Sequence, residues 1–177
     1  MFALFCFGCV FLALAVCHTF IIVTGANGFV GAHCVLELLQ HGYTVVAVVR
    51  DATNGNKTQF LVEEATRRFG PDVKLSFASG DLLEVGSYDT AFQECWGVVH
   101  TATVLPDYEH HAMPATIEQQ YEGIVKPAVD GTNNVVASIK KHSKTIQRFV
   151  NMSSLAAILS NNKPTGYKFV SCSRNYS

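Results

Sequence analysis

The residues with the clearest chemical potential lie in Ile22-Val23-Thr24-Gly25-Ala26-Asn27-Gly28-Phe29-Val30-Gly31, where glycines recur at every third position. An apolar β-branched run precedes them and a helix-periodic segment follows. Each glycine has a physical task in such a turn. Gly25 permits a tight reversal off the strand, Gly28 lets backbone approach a pyrophosphate, and Gly31 lets the helix pack close to the sheet. Asn27, Phe29 and Val30 complete the turn and the helix start, whose N–H groups then face the anion. The strand-before, helix-after setting makes this a dinucleotide-binding turn rather than an ordinary loop.

A second charge feature lies at the end of the next apolar run, Tyr43 to Val49, which stops at Arg50. A carboxylate at this strand end suits the ribose 2′-OH of NAD, whereas an arginine suits a 2′-phosphate. Lys57 adds a second positive charge seven residues on, and the adjacent Asp51 competes. NADP is therefore expected over NAD.

These groups need elements to position them. Phe20 to Val23 reads as a first strand. Residues 29–41 read as a helix, with Val30, Cys34 and Leu38 at helical spacing beside Val35 and Leu39, ended by Gly42. Tyr43 to Val49 is the second strand, and residues 57–69 form a helix. Val73 to Phe77 is a third strand, Tyr88 to Cys95 a short helix, and Val98 to His100 a fourth strand. Residues 115–142 form a long helix in which Pro127 predicts a kink or a late start. Gln147 to Met152 is a fifth strand. Such alternation predicts an α/β fold, a Rossmann-type doubly wound parallel sheet, truncated after about the fifth strand with its edge uncovered.

The chain has 177 residues, of which 49% are hydrophobic and 15% charged, with net charge −1. That excludes disorder, and the absence of a basic block excludes nucleic acid as a partner. The apolar excess is concentrated in residues 1–18, which lack any Lys or Arg; the first is Arg50. A signal peptide, a membrane anchor and a mis-assigned first exon compete for this leader. A genuine anchor would give membrane contact through residues 1–18; otherwise the location is cytoplasmic. Residues 19–157 then form the NAD(P)-binding domain, and 158–177 a loop-like tail. Cys6 and Cys9 form an isolated CxxC with no second ligand pair, and Cys34 reads as core, so neither a metal site nor a disulfide framework is expected.

The glycine turn TGANGFVG resembles the TGxxGxxG signature of extended short-chain dehydrogenase/reductases, within the NAD-dependent epimerase/dehydratase superfamily. YTVVAVVRD, GDL at Gly80 to Leu82, VVHTAT at Val98 to Thr103, KPAVDGTNNV at Lys126 to Val135 and RFVNMSS at Arg148 to Ser154 follow in order. Together they are similar to the dihydroflavonol reductase, cinnamoyl-CoA reductase and aldehyde reductase branch, over residues 20 to about 157. The resemblance implies that Gly25, Gly28 and Gly31 line the pyrophosphate, and that Arg50 and Lys57 hold the 2′-phosphate. It sets Asp81 and Leu82 beside the adenine, and Thr101, Ala102 and Thr103 along the cofactor's middle. Ser154 matches the catalytic serine that bonds a substrate carbonyl oxygen. His100 reads instead as a strand-end histidine satisfied in the core.

The superfamily pairs that serine with a Tyr and a Lys four residues later, the tyrosine donating a proton as hydride reaches the carbonyl. After Ser154 only Tyr167 and Tyr176 occur; Tyr167 has Ser171 at plus four, and Tyr176 is penultimate. The expected function is the NADP(H)-binding part of an oxidoreductase that reduces an aldehyde or ketone to an alcohol, catalytically incomplete as given. A 3β-hydroxysteroid dehydrogenase-like membrane enzyme and a non-catalytic nucleotide-binding module are the alternatives. The expected partners are the nicotinamide dinucleotide and, for a full-length parent, a small carbonyl substrate. Without the proton donor, general acid catalysis worth about 10²–10⁴-fold is forfeited. The 177-residue chain should therefore oxidise no NADPH when assayed against a panel of aldehydes and ketones; turnover of any member would refute this.

Overall fold

The computed structural model of the chain describes residues 20–104 and 116–154. The leader, the tail, Tyr167, Ser171 and Tyr176 lie outside these residues. Strand β1 (Phe20–Thr24) leads to helix α1 (Phe29–Gln40), β2 (Thr44–Val49), α2 (Gly55–Phe69), β3 (Leu75–Ser79) and β4 (Gly97–His100). Helix α3 (Ile117–Gln120) then runs through a π-helical turn (Tyr121–Val125) into α4 (Lys126–Lys141), and β5 (Arg148–Asn151) follows. All pairings are parallel, in the spatial order β3-β2-β1-β4-β5. This is the expected doubly wound α/β sheet. Its order turns between β1 and β4, which opens a crevice at the strands' carboxyl ends.

Both faces of the sheet are apolar because parallel strands are covered on both sides. One face sets Val23, Val45, Ala47 and Val49 against Val35, Leu36 and Leu39 of α1 and Leu61 and Ala65 of α2. The other sets Ile22, Val48 and Val98 against Tyr88, Phe92, Cys95 and Val135. The four residues of β5 are all exposed, and it forms the edge of the sheet. No helix among the described residues is long and apolar enough to cross a membrane.

Local signals set the helix ends. Gly42 adopts φ +81° and closes α1 through its N–H to Leu39 O and the Tyr43 N–H to Leu38 O. Thr116 and Gln119 form a reciprocal capping box at the start of α3. Pro127 falls in the first turn of α4, so the regular α-helix starts late, at Lys126, as one of the two expected outcomes had it. Proline has no N–H to give the preceding turn, and the π-helical turn just before it absorbs the change of register.

Two expectations are corrected. The buried face of α1 is Gly31, Ala32, Val35, Leu36 and Leu39; Val35 and Leu39 fall where expected, and Val30 does not. Val30 is 44% exposed, and Cys34 and Leu38 are half-buried against the core. Residues 88–95 form successive turns rather than a helix. Bonds from Asp89 N–H to Gly86 O, Gln93 N–H to Thr90 O and Cys95 N–H to Phe92 O span three residues, and Glu94 ends the run at φ +61°. Tyr88 and Phe92 nevertheless stay at helical spacing, both buried, with ring centroids 5.4 Å apart. Truncating Phe92 to alanine should cost about 3–5 kcal/mol, the usual penalty for emptying an aromatic site in a core. Urea unfolding of the variant checks this, and a loss under 1 kcal/mol would contradict the packing described.

Candidate functional site

The glycine turn is built by exclusion. Gly25 sits at φ +67°, and a Cβ there would lie 2.7 Å from Ala102 Cα. A Cβ on Gly31 would lie 2.2 Å from Gly25 O and 2.8 Å from Thr101 Oγ1. No side chain fits at either position, so α1 starts pressed against the ends of β1 and β4. Gly28 is milder, with a Cβ 3.2 Å from Gly25 O. It also begins α1 without a side-chain cap, and no acidic residue occupies the first turn. The first-turn N–H groups therefore remain uncapped by side chains, as an anion site requires.

The ends of β1 and β4 are tied by side chains. Thr101 Oγ1 donates to Thr24 O at 2.7 Å, and Ala102 N–H donates to Thr24 Oγ1 at 3.4 Å. The same hydroxyl is hydrogen-bonded to His100 Nδ1, 2.6 Å away, with the direction set by the imidazole tautomer. His100 is buried, its ring stacks toward Phe149, and burial pushes its pKa below the ordinary 6.5. It is a satisfied core histidine, as its strand-end position suggested.

Between these elements opens a cleft of about 570 Å³, within the range of small-molecule sites. Its walls bring together Gly25, Asn27, Gly28, Phe29, Val30, Gly31, Arg50, Asp81, Leu82, Thr101, Ala102 and Thr103. Phe29 is 83% exposed at the rim, an apolar surface offered to whatever enters. Val48, Val49, Gly80, Leu83, Tyr88 and Val104 also line the cleft. The sequence reading missed them. Gly80 carried a usable signal as the first residue of the GDL run, and in the fold a Cβ there would meet the Tyr88 ring at 2.8 Å. Burial, and secondarily Asp81, pushes the Tyr88 phenol upward, so it stays protonated.

The wall opposite the glycine turn is held by polar ties. Asp81 Oδ1 accepts from Leu83 N–H at 2.8 Å, and Ser87 Oγ bonds both Asp81 N–H and Asp81 O. Asn134 of α4 donates to Leu82 O at 2.7 Å. Two expected residues are not part of the lining. Lys57 stands exposed in the first turn of α2, and Ser154 lies exposed three residues beyond β5. Both follow the carboxyl ends of strands, on the side of the sheet where the cleft opens. Among the described residues no cluster of ligating side chains could hold a metal.

A profile of the "NAD dependent epimerase/dehydratase family" matches residues 21–171. The bifunctional dihydroflavonol 4-reductase/flavanone 4-reductase of Malus domestica is 35% identical over 136 residues, which are 77% of this chain and 35% of that protein. Cinnamoyl-CoA reductase CAD2 of Medicago truncatula is 37% identical over 142 residues, 80% of this chain and 40% of that protein. The chain thus spans well under half the length of these curated relatives. The crystal structure of yeast methylglyoxal/isovaleraldehyde reductase Gre2, complexed with NADPH, superposes with a TM-score of 0.59 at 29% identity, covering 78% of this chain and 38% of that one.

The lowered pKa of His100 makes stability depend on pH with a definite sign. The unfolded chain takes up this proton near pH 6.5, the folded chain only at lower pH. Stability should be complete above pH 6.5 and decline between there and the folded value. Asp89 and Glu64, whose ion pairs hold their carboxyls below the usual range, add losses only in stronger acid. Urea midpoints from pH 7.5 to 5 should fall for the native chain and stay flatter for His100→Gln. Identical slopes would remove His100 as the source.

Proposed function

The chain belongs to the NAD dependent epimerase/dehydratase family, and on that premise we propose that residues 19–157 are the NADP(H)-binding part of a carbonyl reductase. The observation that carries this is the convergence, in one cleft at the β1/β4 turn of the sheet, of an uncapped helix start, a glycine cradle and Arg50. Gly25, Gly28 and Gly31, with the N–H groups of Asn27, Phe29 and Val30 nearby, take the pyrophosphate. Asp81 and Leu82 take the adenine, and Thr101, Ala102 and Thr103 border the cofactor's middle. Arg50 takes the 2′-phosphate, which a planar guanidinium can grip through two parallel bonds. Lys57 is a secondary cation, acting from outside the cleft wall.

The yeast neighbour is complexed with NADPH, and its name describes a reductase of methylglyoxal and isovaleraldehyde. The plant relatives are named as reductases of dihydroflavonols and of cinnamoyl-CoA. An aldehyde or ketone is accordingly the substrate class proposed for the whole protein. The bound cofactor would supply hydride to the carbonyl carbon. Ser154 would donate a hydrogen bond to the carbonyl oxygen, from the segment that follows β5.

Replacing Arg50 with alanine should weaken NADPH about tenfold or more, the loss expected for a charge-assisted pair. NADH should be nearly unaffected. Titrations of both reduced cofactors, followed by nicotinamide fluorescence, measure this. Equal losses for the two would take the 2′-phosphate away from Arg50.

A further inference from the structure

The end of β2 carries opposite charges side by side, Arg50 and Asp51. A free carboxylate at this place would accept a hydrogen bond from a ribose 2′-OH, repel a 2′-phosphate and pair with Arg50. The structure turns one of its oxygens into its own turn instead. Asp51 Oδ1 accepts from the Thr53 hydroxyl at 2.6 Å and from the Thr53 N–H at 3.0 Å. The same turn is fastened to the end of β3, where Ser79 Oγ accepts from Ala52 N–H at 3.1 Å. Arg50 lines the cleft and Asp51 does not. Among the described residues Arg50 forms no ion pair.

We propose that Thr53 is a specificity-determining residue: its hydroxyl holds the Asp51 carboxylate inside its own turn, which leaves Arg50 unopposed for the 2′-phosphate of NADP(H). Thr53 acts through Asp51 and touches no cofactor, so it is a positioning residue. This inference rests on the dinucleotide reading above. The two Thr53 bonds are also the main cause of the lowered Asp51 pKa, with Lys57 contributing least, so the carboxylate stays ionised within its turn. Without the hydroxyl the carboxylate keeps only backbone donors, the Thr53 N–H and a smaller contribution from Asn54. Removing the hydroxyl gives the side chain freedom to rotate toward Arg50, where Coulomb attraction draws it.

The test is a double-mutant cycle on the full chain, read as NADPH and NADH dissociation constants. Thr53→Val keeps the N–H and the branched shape but removes the hydroxyl. It should weaken NADPH roughly three- to fivefold, the size of a partly exposed charge pair, while NADH holds or tightens. Asp51→Asn should keep or tighten NADPH, and in its background Thr53→Val should have no further effect on the NADPH-to-NADH ratio. That abolished coupling is the outcome a merely structural turn residue would not produce. Equal weakening of both cofactors by Thr53→Val, or the same effect with and without Asp51, overturns the proposal while the nucleotide site stands. A native chain that prefers NADH overturns it as well. A native chain that binds neither dinucleotide overturns both this proposal and the reading beneath it.

Discussion

The carboxyl edge of the sheet depends on how closely the backbone of α1 approaches the ends of β1 and β4. The limits are steric. Beside the hydrogen of Gly31 there is no space for a methyl group before Gly25 O, and Gly25 itself abuts Ala102. Because backbone lies on both sides, no rotamer change could relieve a clash there. The approach brings the start of α1 and the residues after β4 into one wall. It also aims the helix dipole into the cleft, where the uncapped N–H groups act as fixed partial positive charge.

That wall is held by a short polar chain rather than by apolar bulk. Thr24 receives bonds from Thr101 and Ala102 and reaches His100, so the last residue of β1 fixes the first residues after β4. Met152 N–H donates to His100 O, which brings the segment leading to Ser154 to the same edge. The opposite wall depends on α4. Asn134 holds Leu82 O, Gly131 leaves space for the Leu82 side chain, and Ser138 and Lys141 grip Asp89 in the turns below. The long helix thus shapes the cleft without lining it.

Most of this was legible in the sequence. Strand positions, the parallel order and the residues of the glycine turn follow from apolar runs and from glycine's freedom at positive φ. The misread face of α1 shows what periodicity lacks. Helical spacing grouped Val30 with Cys34 and Leu38, yet Gly31 faces Gly25, and Phe29 and Val30 stand at the cleft where the glycine turn had set them. A glycine required for close packing marks the buried face more firmly than a valine does. The turns at 88–95 were misread for a related reason. Tyr88 and Phe92 have helical spacing and Phe92 N–H reaches Tyr88 O, but this single four-residue bond sits between Gly86 at φ +80° and Glu94 in the left-handed region, and the other bonds of the run span three residues. The Asp51–Thr53 turn was invisible, because charge alone says that Asp51 opposes Arg50 and only geometry says which way its carboxylate points.

Charge in the cleft follows one pattern. Asp51 and Asp81 follow the ends of adjacent strands, β2 and β3, and each has its Oδ1 engaged by the N–H two residues onward, of Thr53 and of Leu83. A carboxylate turned to a backbone N–H is held by a donor that cannot move away, and its field is partly cancelled where it arises. Arg50 has no such partner among the described residues, and α1 offers only donors. Low-dielectric walls strengthen the field of the charges that face the cleft, Arg50 and the uncapped helix start among them. The chain as a whole carries net charge −1, so selectivity for an anion cannot come from overall charge. On the proposed reading it rests on holding the nearby carboxylates in their own turns while one guanidinium and one helix start face the cleft.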